Sequence, residues 1–248
     1  MRFLLTPRWI GFLLAVAVLA LVCVRLGEWQ WDKREERRES NVLVERHLAQ
    51  EPVALDDVVP AGETVGADQE WTRVRATGRY DPAGQVTVKF VTRDGRPGAD
   101  VVTPLVLEDG TALLVDRGWL QTDNTGRAPV DVPPPASGQV TVEGWLRQDS
   151  GAGREATLPV DGQVRAISSD AMAEALETPV RSGYVHLRDQ SAPMTGLELE
   201  PAPDLGGGPH FFYGLQWWFF AALALVGFVW FARLEYVERT QARVTRSR

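Results

Sequence analysis

His210–Ala232 reads HFFYGLQWWFFAALALVGFVWFA, a histidine followed by twenty-two residues without a formal charge. An α-helix rises about 1.5 Å per residue, so such a stretch reaches across a hydrocarbon core of roughly 30 Å. A second apolar stretch, Trp9–Leu26 (WIGFLLAVAVLALVCVRL), carries one charge, Arg25, at its end. Two transmembrane helices are therefore the first expectation, and the residues between them form one connected segment on one side of a bilayer.

The short flanks set the expected orientation. Arg2 and Arg8 precede the first apolar run; Arg233, Arg239, Arg243, Arg246 and Arg248 follow the second, against Glu235 and Glu238. Cytoplasmic flanks are enriched in Lys and Arg, which puts both termini in the cytoplasm; the basic cluster at 33–38 is a counter-signal diluted by neighbouring acids. Arg2 and Arg8 also suit the start of a cleaved signal peptide, but the exit VCVRLGEWQW has no small-x-small cleavage pattern, so the first run reads as a retained anchor. The absence of an Arg-rich, acid-poor leader makes a bacterial plasma membrane the expected location. The expected division is a cytoplasmic N-terminus at 1–8, a first transmembrane helix at 9–26, a helical stalk at 27–51, an extracytoplasmic, mostly β domain at 52–209, a second transmembrane helix at 210–232 and a basic cytoplasmic tail at 233–248.

Gly27–Phe212 holds eighteen basic and thirty-one acidic residues, a net charge of −13. Such a segment repels polyanions, so nucleic acid and anionic lipid surfaces are not expected partners. The one cysteine, Cys23, lies within the first apolar run, which excludes an internal disulfide and a cysteine-built metal cage. Tryptophans agree with the two-helix topology: Trp9 and Trp230 fall at the expected inner interface, and Trp29, Trp31, Trp217 and Trp218 at the outer one.

After Leu26 the chain keeps helical propensity and i,i+4 charge pairing until Pro52, hence the stalk. From Trp71 onward it changes to short, valine-rich runs: WTRVRATGRY, QVTVKFV, VVTPLVL, TALLVDRGWL, QVTVEGWL, QVRAI and GYVHLR. Turn residues separate them at Asp81-Pro-Ala-Gly84, Asp94-Gly95 and Asp109-Gly110. One helix is expected where Ser169-Asp170 precedes AMAEALE, with Pro179 beyond its end. The expected fold is a membrane-anchored α+β protein, two transmembrane helices flanking a mostly antiparallel β domain built as a small barrel or sandwich. APVDVPPPASG has the composition of a stiff connector, and APDLGGGPH that of a glycine hinge.

Antiparallel helices would bring Gly27–Trp31 and His210–Trp218 to the same membrane face. On a helix, His210 shares a face with Tyr213 or Gly214 and with Trp217, and Gly214 would leave room for a flat ligand. The residues allow two readings. One is an aromatic belt with His210 as an interfacial cap and Gln216 bonded across to Gln30; the other is a haem iron held by a neutral imidazole at His210 between aromatic walls. No Cys-x-x-Cys-His is present for covalent haem attachment. His47 is expected to be solvated on the stalk, and His186, between Val185 and Leu187 on an expected strand, is given no role. No Gly-x-Ser-x-Gly, phosphate-binding glycine loop or His-Glu-x-x-His occurs, so no enzymatic activity is expected. Arg117 and Trp119, in Asp116-Arg-Gly-Trp119, are expected to serve a structural or partner contact, Arg117 through an ion pair beside a buried Trp119.

Three segments resemble the Surfeit locus protein 1 family in order along nearly the whole chain. LGEWQWDKR at Leu26–Arg34 is similar to that family's Leu-Gly-x-Trp-Gln-x-x-Arg signature, GADVVTPLVLEDGTALLVDRGWL at Gly98–Leu120 to its Thr-Pro-Leu and Asn-Arg-Gly-Trp segment, and PHFFYGLQWWFF from Pro209 to its His-x-x-Tyr-x-x-Gln-Trp entrance. Lys33 stands where the family usually has Arg, and Asp116 where it often has Asn. The resemblance implies a non-enzymatic assembly factor for haem-a-containing cytochrome c oxidase. Its partners would be the oxidase catalytic subunit and other respiratory-chain subunits, and its cofactor a transient haem a. It makes His210 the haem iron ligand, with Tyr213, Gln216, Trp217, Trp29 and Gln30 lining the site. The alternative it leaves open is a scaffold or accessory subunit that stabilises the oxidase, or its supercomplex, without binding haem.

Overall fold

The computed structural model describes residues 2–123, 125–129, 131–194 and 196–246. Val130 of the proline-rich connector and Ser247 and Arg248 of the expected basic tail lie outside the described residues. The chain forms two compact units, Leu43–Asp204 and the pair Met1–Val42 with Leu205–Arg248.

The smaller unit is built on two long helices. Helix α1 (Pro7–Ala49) runs without a break from the first apolar stretch through the charged one, and its residues 27–49 contain no Pro and no Gly after Gly27 to interrupt it. The last helix, α5 (His210–Arg246), begins at the histidine. Both are long and apolar enough to cross a membrane. They pair antiparallel. Trp9 packs edge-on against Phe228, Ala20 and Cys23 meet Ala221 with Trp217 beside them, and Trp31 stacks on Trp218 with ring centroids 5.8 Å apart. Small residues at this seam let the backbones approach, and the large apolar side chains of both helices point away from it, as lipid-facing surfaces do.

The larger unit is one mixed sheet. Its strands are β1 (Val53–Ala54), β2 (Arg73–Tyr80), β3 (Val86–Arg93), β4 (Arg96–Leu107), β5 (Ala112–Gln121), β6 (Gln139–Arg147), β7 (Gln163–Val164) and β8 (Val180–Gln190), in the spatial order β1-β2-β6-β8-β5-β4-β3-β7. A further pairing of Gly78–Tyr80 with Leu105–Leu107 joins β2 to β4. Most of its pairings are antiparallel, as expected, but the sheet is mixed: β1–β2, β3–β7 and β5–β8 are parallel. The β5–β8 pairing follows from the long crossover between these strands, which passes through β6, two short helices and β7 before returning. Those helices are α3 (Arg154–Thr157) and α4 (Ser169–Leu176); a third, α2 (Leu55–Val58), follows β1.

Sequence pattern accounts for the strands. In β2 the inward positions Val74, Ala76 and Tyr80 alternate with exposed ones, whereas β4 and β5 are buried without alternation over 98–105 and 112–119, polar Asp100, Thr103, Asp116 and Arg117 included, because both of their faces are covered. Asp94 and Gly95 both have positive φ, 50° and 74°, which makes a tight two-residue hairpin between β3 and β4. Asp109 accepts from Thr111 N–H at 2.8 Å, and Gly110 (φ 82°) turns the chain from β4 into β5. The expected strand QVRAI shrinks to Gln163–Val164, since Arg165 and Ala166 both donate to the Ala156 carbonyl and leave the ladder. Helix α4 is capped one residue earlier than expected: Ser168 Oγ accepts from Ala171 N–H at 3.3 Å, while Ser169 bonds Asp149.

Candidate functional site

The α1–α5 pair brings some of the sequence-selected residues together and parts others. His210, at the first position of α5, donates from Nδ1 to Gln30 Oε1 on α1 at 2.8 Å. The cross-helix partner of Gln30 is thus His210, and not Gln216 as the aromatic-belt reading expected. Since an amide oxygen only accepts, the proton of a neutral imidazole sits on Nδ1 and the lone pair on Nε2. Gly208, two residues earlier, has φ 63°; a Cβ there would stand 3.3 Å from Cδ2 and 3.7 Å from Nε2 of His210, and 3.7 Å from Arg37 Cδ. A side chain at this position would crowd this edge of the imidazole.

Trp217 is half-buried against Cys23 and Ala20. Trp29, Tyr213 and Gln216 are exposed and turn away from the helix seam. Gly214 does not open the slot expected of it. It is buried, and a Cβ on it would meet the Gly27 carbonyl at 3.6 Å and Gln30 Cβ at 3.7 Å, ordinary contacts that leave room for a methyl group and no more. Gly27 is the glycine that the close helix approach requires, because a Cβ there would collide with the Trp218 indole.

A second layer escaped the sequence reading. Trp31 lies between Trp218 and Phe211, with centroids 5.8 and 6.0 Å away, and the Arg34 guanidinium sits 5.1 Å from the Trp31 ring centre and 5.3 Å from that of Phe211. The i,i+3 spacing of Trp31 and Arg34 was the available signal. The glycine hinge is tied down in the same region: Arg37 Nε donates to the Gly206 carbonyl at 2.9 Å and Asn41 Nδ2 to that of Leu205 at 2.7 Å.

In the sheet unit, Arg117 and Trp119 are interior residues. Arg117 donates to Gln85 Oε1 at 2.9 Å and to the carbonyls of Pro133 and Pro134 at 2.9 and 3.0 Å. These are neutral acceptors, so the expected ion pair is corrected to a set of carbonyl contacts that pins the proline connector. Burial lowers the Arg117 pKa, partly offset by Tyr80. Trp119 is 1% exposed, donates from Nε1 to the Val91 carbonyl at 3.1 Å, and has the Arg96 guanidinium 4.9 Å from its ring centre.

Beside them lies a buried polar cluster. His186 Nδ1 donates to Asp116 Oδ2 at 2.8 Å, and Arg93 pairs with both Asp100, at 2.8 Å, and Glu200. Burial and the Asp116 carboxylate push Asp100 up to about 8, against the pull of Arg93. The role withheld from His186 is thus structural in the first instance, and His47, expected in solvent, donates to the Glu70 carbonyl at 2.8 Å. Among the described residues, no group of three or more His, Cys, Asp or Glu is arranged to hold a metal ion.

Comparison with known proteins agrees with these motifs. The SURF1 family model matches residues 17–222, from within α1 to within α5. Uncharacterized SURF1-like proteins of Mycobacterium tuberculosis and Mycobacterium bovis are 30% identical over 249 residues, covering 98% of this chain and 90% of theirs. A SURF1-like protein of Monosiga brevicollis is 29% identical over 148 residues, 55% of this chain and 52% of its own. With the match running through both long helices and the sheet between them, the chain belongs to the SURF1 family.

Proposed function

We propose that this protein is a membrane-anchored, non-enzymatic assembly factor for haem-a-containing cytochrome c oxidase, and that it holds haem a for delivery to the catalytic subunit. The observation that carries the haem reading is the Gln30–His210 hydrogen bond. Imidazoles that bind metals characteristically donate their other ring N–H to an oxygen acceptor, which fixes the tautomer and aims the lone pair. His210 has that arrangement through Gln30. His210 would hold the iron, and Trp31, Phe211 and Trp217 would offer apolar surface to the macrocycle. The haem supplies the redox-active iron that the oxidase requires; this chain binds it, orients it and gives it up.

The proposed setting is the bacterial plasma membrane. Both termini would be cytoplasmic and the sheet unit outside, as the positive flanks favour. Besides the catalytic subunit, other respiratory-chain subunits are proposed contacts.

A second reading is favoured by the exposure of Trp29, Phe212, Tyr213 and Phe219. In it the protein is a scaffold or accessory subunit whose aromatic faces pack on oxidase helices without haem. Deletion of the gene separates these possibilities when oxidase haem a content is measured after complementation. Under the haem reading the wild-type gene restores it and His210→Ala does not; full restoration by His210→Ala selects the scaffold, and unaltered oxidase after deletion refutes both.

A further inference from the structure

We propose that Arg34 is the carboxylate-binding residue of the His210 site and takes a propionate of the bound porphyrin; this rests on the haem reading above. Arg34 follows Gln30 by four residues, a little over one turn of α1, so the two share a face of that helix. Gln30 holds His210, and Phe211, the next residue of α5, lies against the Arg34 guanidinium. The fork is therefore positioned one turn beyond the imidazole, on the side away from the apolar stretch Trp9–Leu26.

Its chemistry is unspent. Among the described residues no carboxylate or carbonyl accepts from Arg34, although the basic residues around it are engaged. Arg25 pairs with Glu28 at 3.0 Å, Lys33 with Glu36 at 2.7 Å and Arg38 with Glu35 at 4.0 Å, and Arg37 donates to Gly206. Lys33, where the family signature usually carries Arg, is thus occupied by a neighbour on its own helix, and the free fork in this chain is the next residue. Arg34 is half-buried, with its guanidinium carbon 5.1 Å from the Trp31 ring centre and 5.3 Å from that of Phe211, and contact with ring faces does not use up the N–H donors of a guanidinium.

A haem is an apolar disc with carboxylates along one edge. A site that binds the iron through an imidazole, covers the disc with indole and phenyl rings and lies at the end of an apolar helix pair needs a cation where the disc meets water. An Arg fork matches a carboxylate in two parallel hydrogen bonds, a geometry that Lys does not reproduce.

The test uses the full chain in detergent micelles, titrated with haem and with its dimethyl ester, with the Soret band as readout, in wild type, Arg34→Gln and Arg34→Lys. Charge-assisted hydrogen bonds of this kind contribute enough that wild type is expected to bind haem at least about tenfold more tightly than the ester. Arg34→Gln should lose that preference, bind the ester as wild type does and keep the Soret position, since the iron ligand is untouched. Arg34→Lys should recover only part of the preference. Equal affinity of wild type for haem and ester overturns the proposal without any variant, and unchanged haem affinity in Arg34→Gln does so too; in either case the haem reading stands if His210→Ala still abolishes binding. A wild-type protein that binds neither porphyrin overturns both.

Discussion

Gln30 Oε1 and His210 Nδ1 are 2.8 Å apart, joining residues 180 positions distant in the chain across the α1–α5 pair. This contact converts an interfacial histidine into an oriented imidazole. Loss of such an orienting partner typically costs about 10- to 100-fold in metal affinity. Gln30→Leu is therefore expected to weaken haem binding by about tenfold or more, while Gln30→Glu, which retains the acceptor, keeps it. Absorbance titration of both variants checks this, and equal affinity of Gln30→Leu and wild type would show that the tautomer is set by something else.

The helix seam gives a prediction in which two glycines part company. Alanine at Gly27 must displace the Trp218 indole and so break its stack on Trp31, whereas alanine at Gly214 meets the Gly27 carbonyl at an ordinary 3.6 Å. Overpacking of this kind costs about 1–3 kcal/mol, so Gly27→Ala should lower the thermal midpoint in detergent. Gly214→Ala should be neutral or slightly stabilising, because Ala has the better helix propensity. Tryptophan fluorescence should report a changed environment for Gly27→Ala alone.

Arg117 anchors three oxygens at once, those of Gln85, Pro133 and Pro134. Removing the guanidinium leaves buried or half-buried acceptors without a donor, at about 1–3 kcal/mol for each one that water does not reach. Arg117→Met should destabilise the sheet unit by about 3 kcal/mol and open the proline connector to protease ahead of the rest of the chain. Wild-type stability and cleavage in Arg117→Met would show that the connector is held by other contacts.

Asp100 predicts a pH dependence with a definite sign. Its carboxyl is pushed from the ordinary 3.8 to about 8 by burial and by Asp116, so between those values the folded chain holds a proton that the unfolded chain has released. Stability contributed by that proton is complete below about pH 4 and is lost as the pH rises through about 8. Asp100→Asn keeps an acceptor for Arg93 and cannot ionise; its thermal midpoint should fall less than that of wild type over this range. A wild-type midpoint that rises through the same window would mean that Asp100 is ionised in the fold.

What the sequence disclosed follows the physics of each element. The two apolar runs and the turns at Asp94-Gly95 and Asp109-Gly110 were legible because bilayer thickness and positive φ restrict composition locally. The parallel β5–β8 pairing was not, since nothing in either strand records which neighbour a long crossover will supply. At the site, spacing placed His210 near Gln30 but gave Gln30 another partner, because spacing along one helix does not record which residue of the other helix lies opposite it. Arg34 was hidden among alternating charges, where only its contact with Phe211 on the other helix distinguishes it. The Asp116–His186 pair was invisible for the same reason: its members are 70 residues apart and meet only through strand register.

The central claim is that His210 presents an Nε2 lone pair to haem iron. It is tested most directly by the absorption spectrum and haem stoichiometry of the full-length protein purified from a host that makes haem a, wild type beside His210→Ala. A haem a spectrum at near one haem per chain in wild type, lost in His210→Ala, is the expected result. The same spectrum and stoichiometry in both proteins would contradict it.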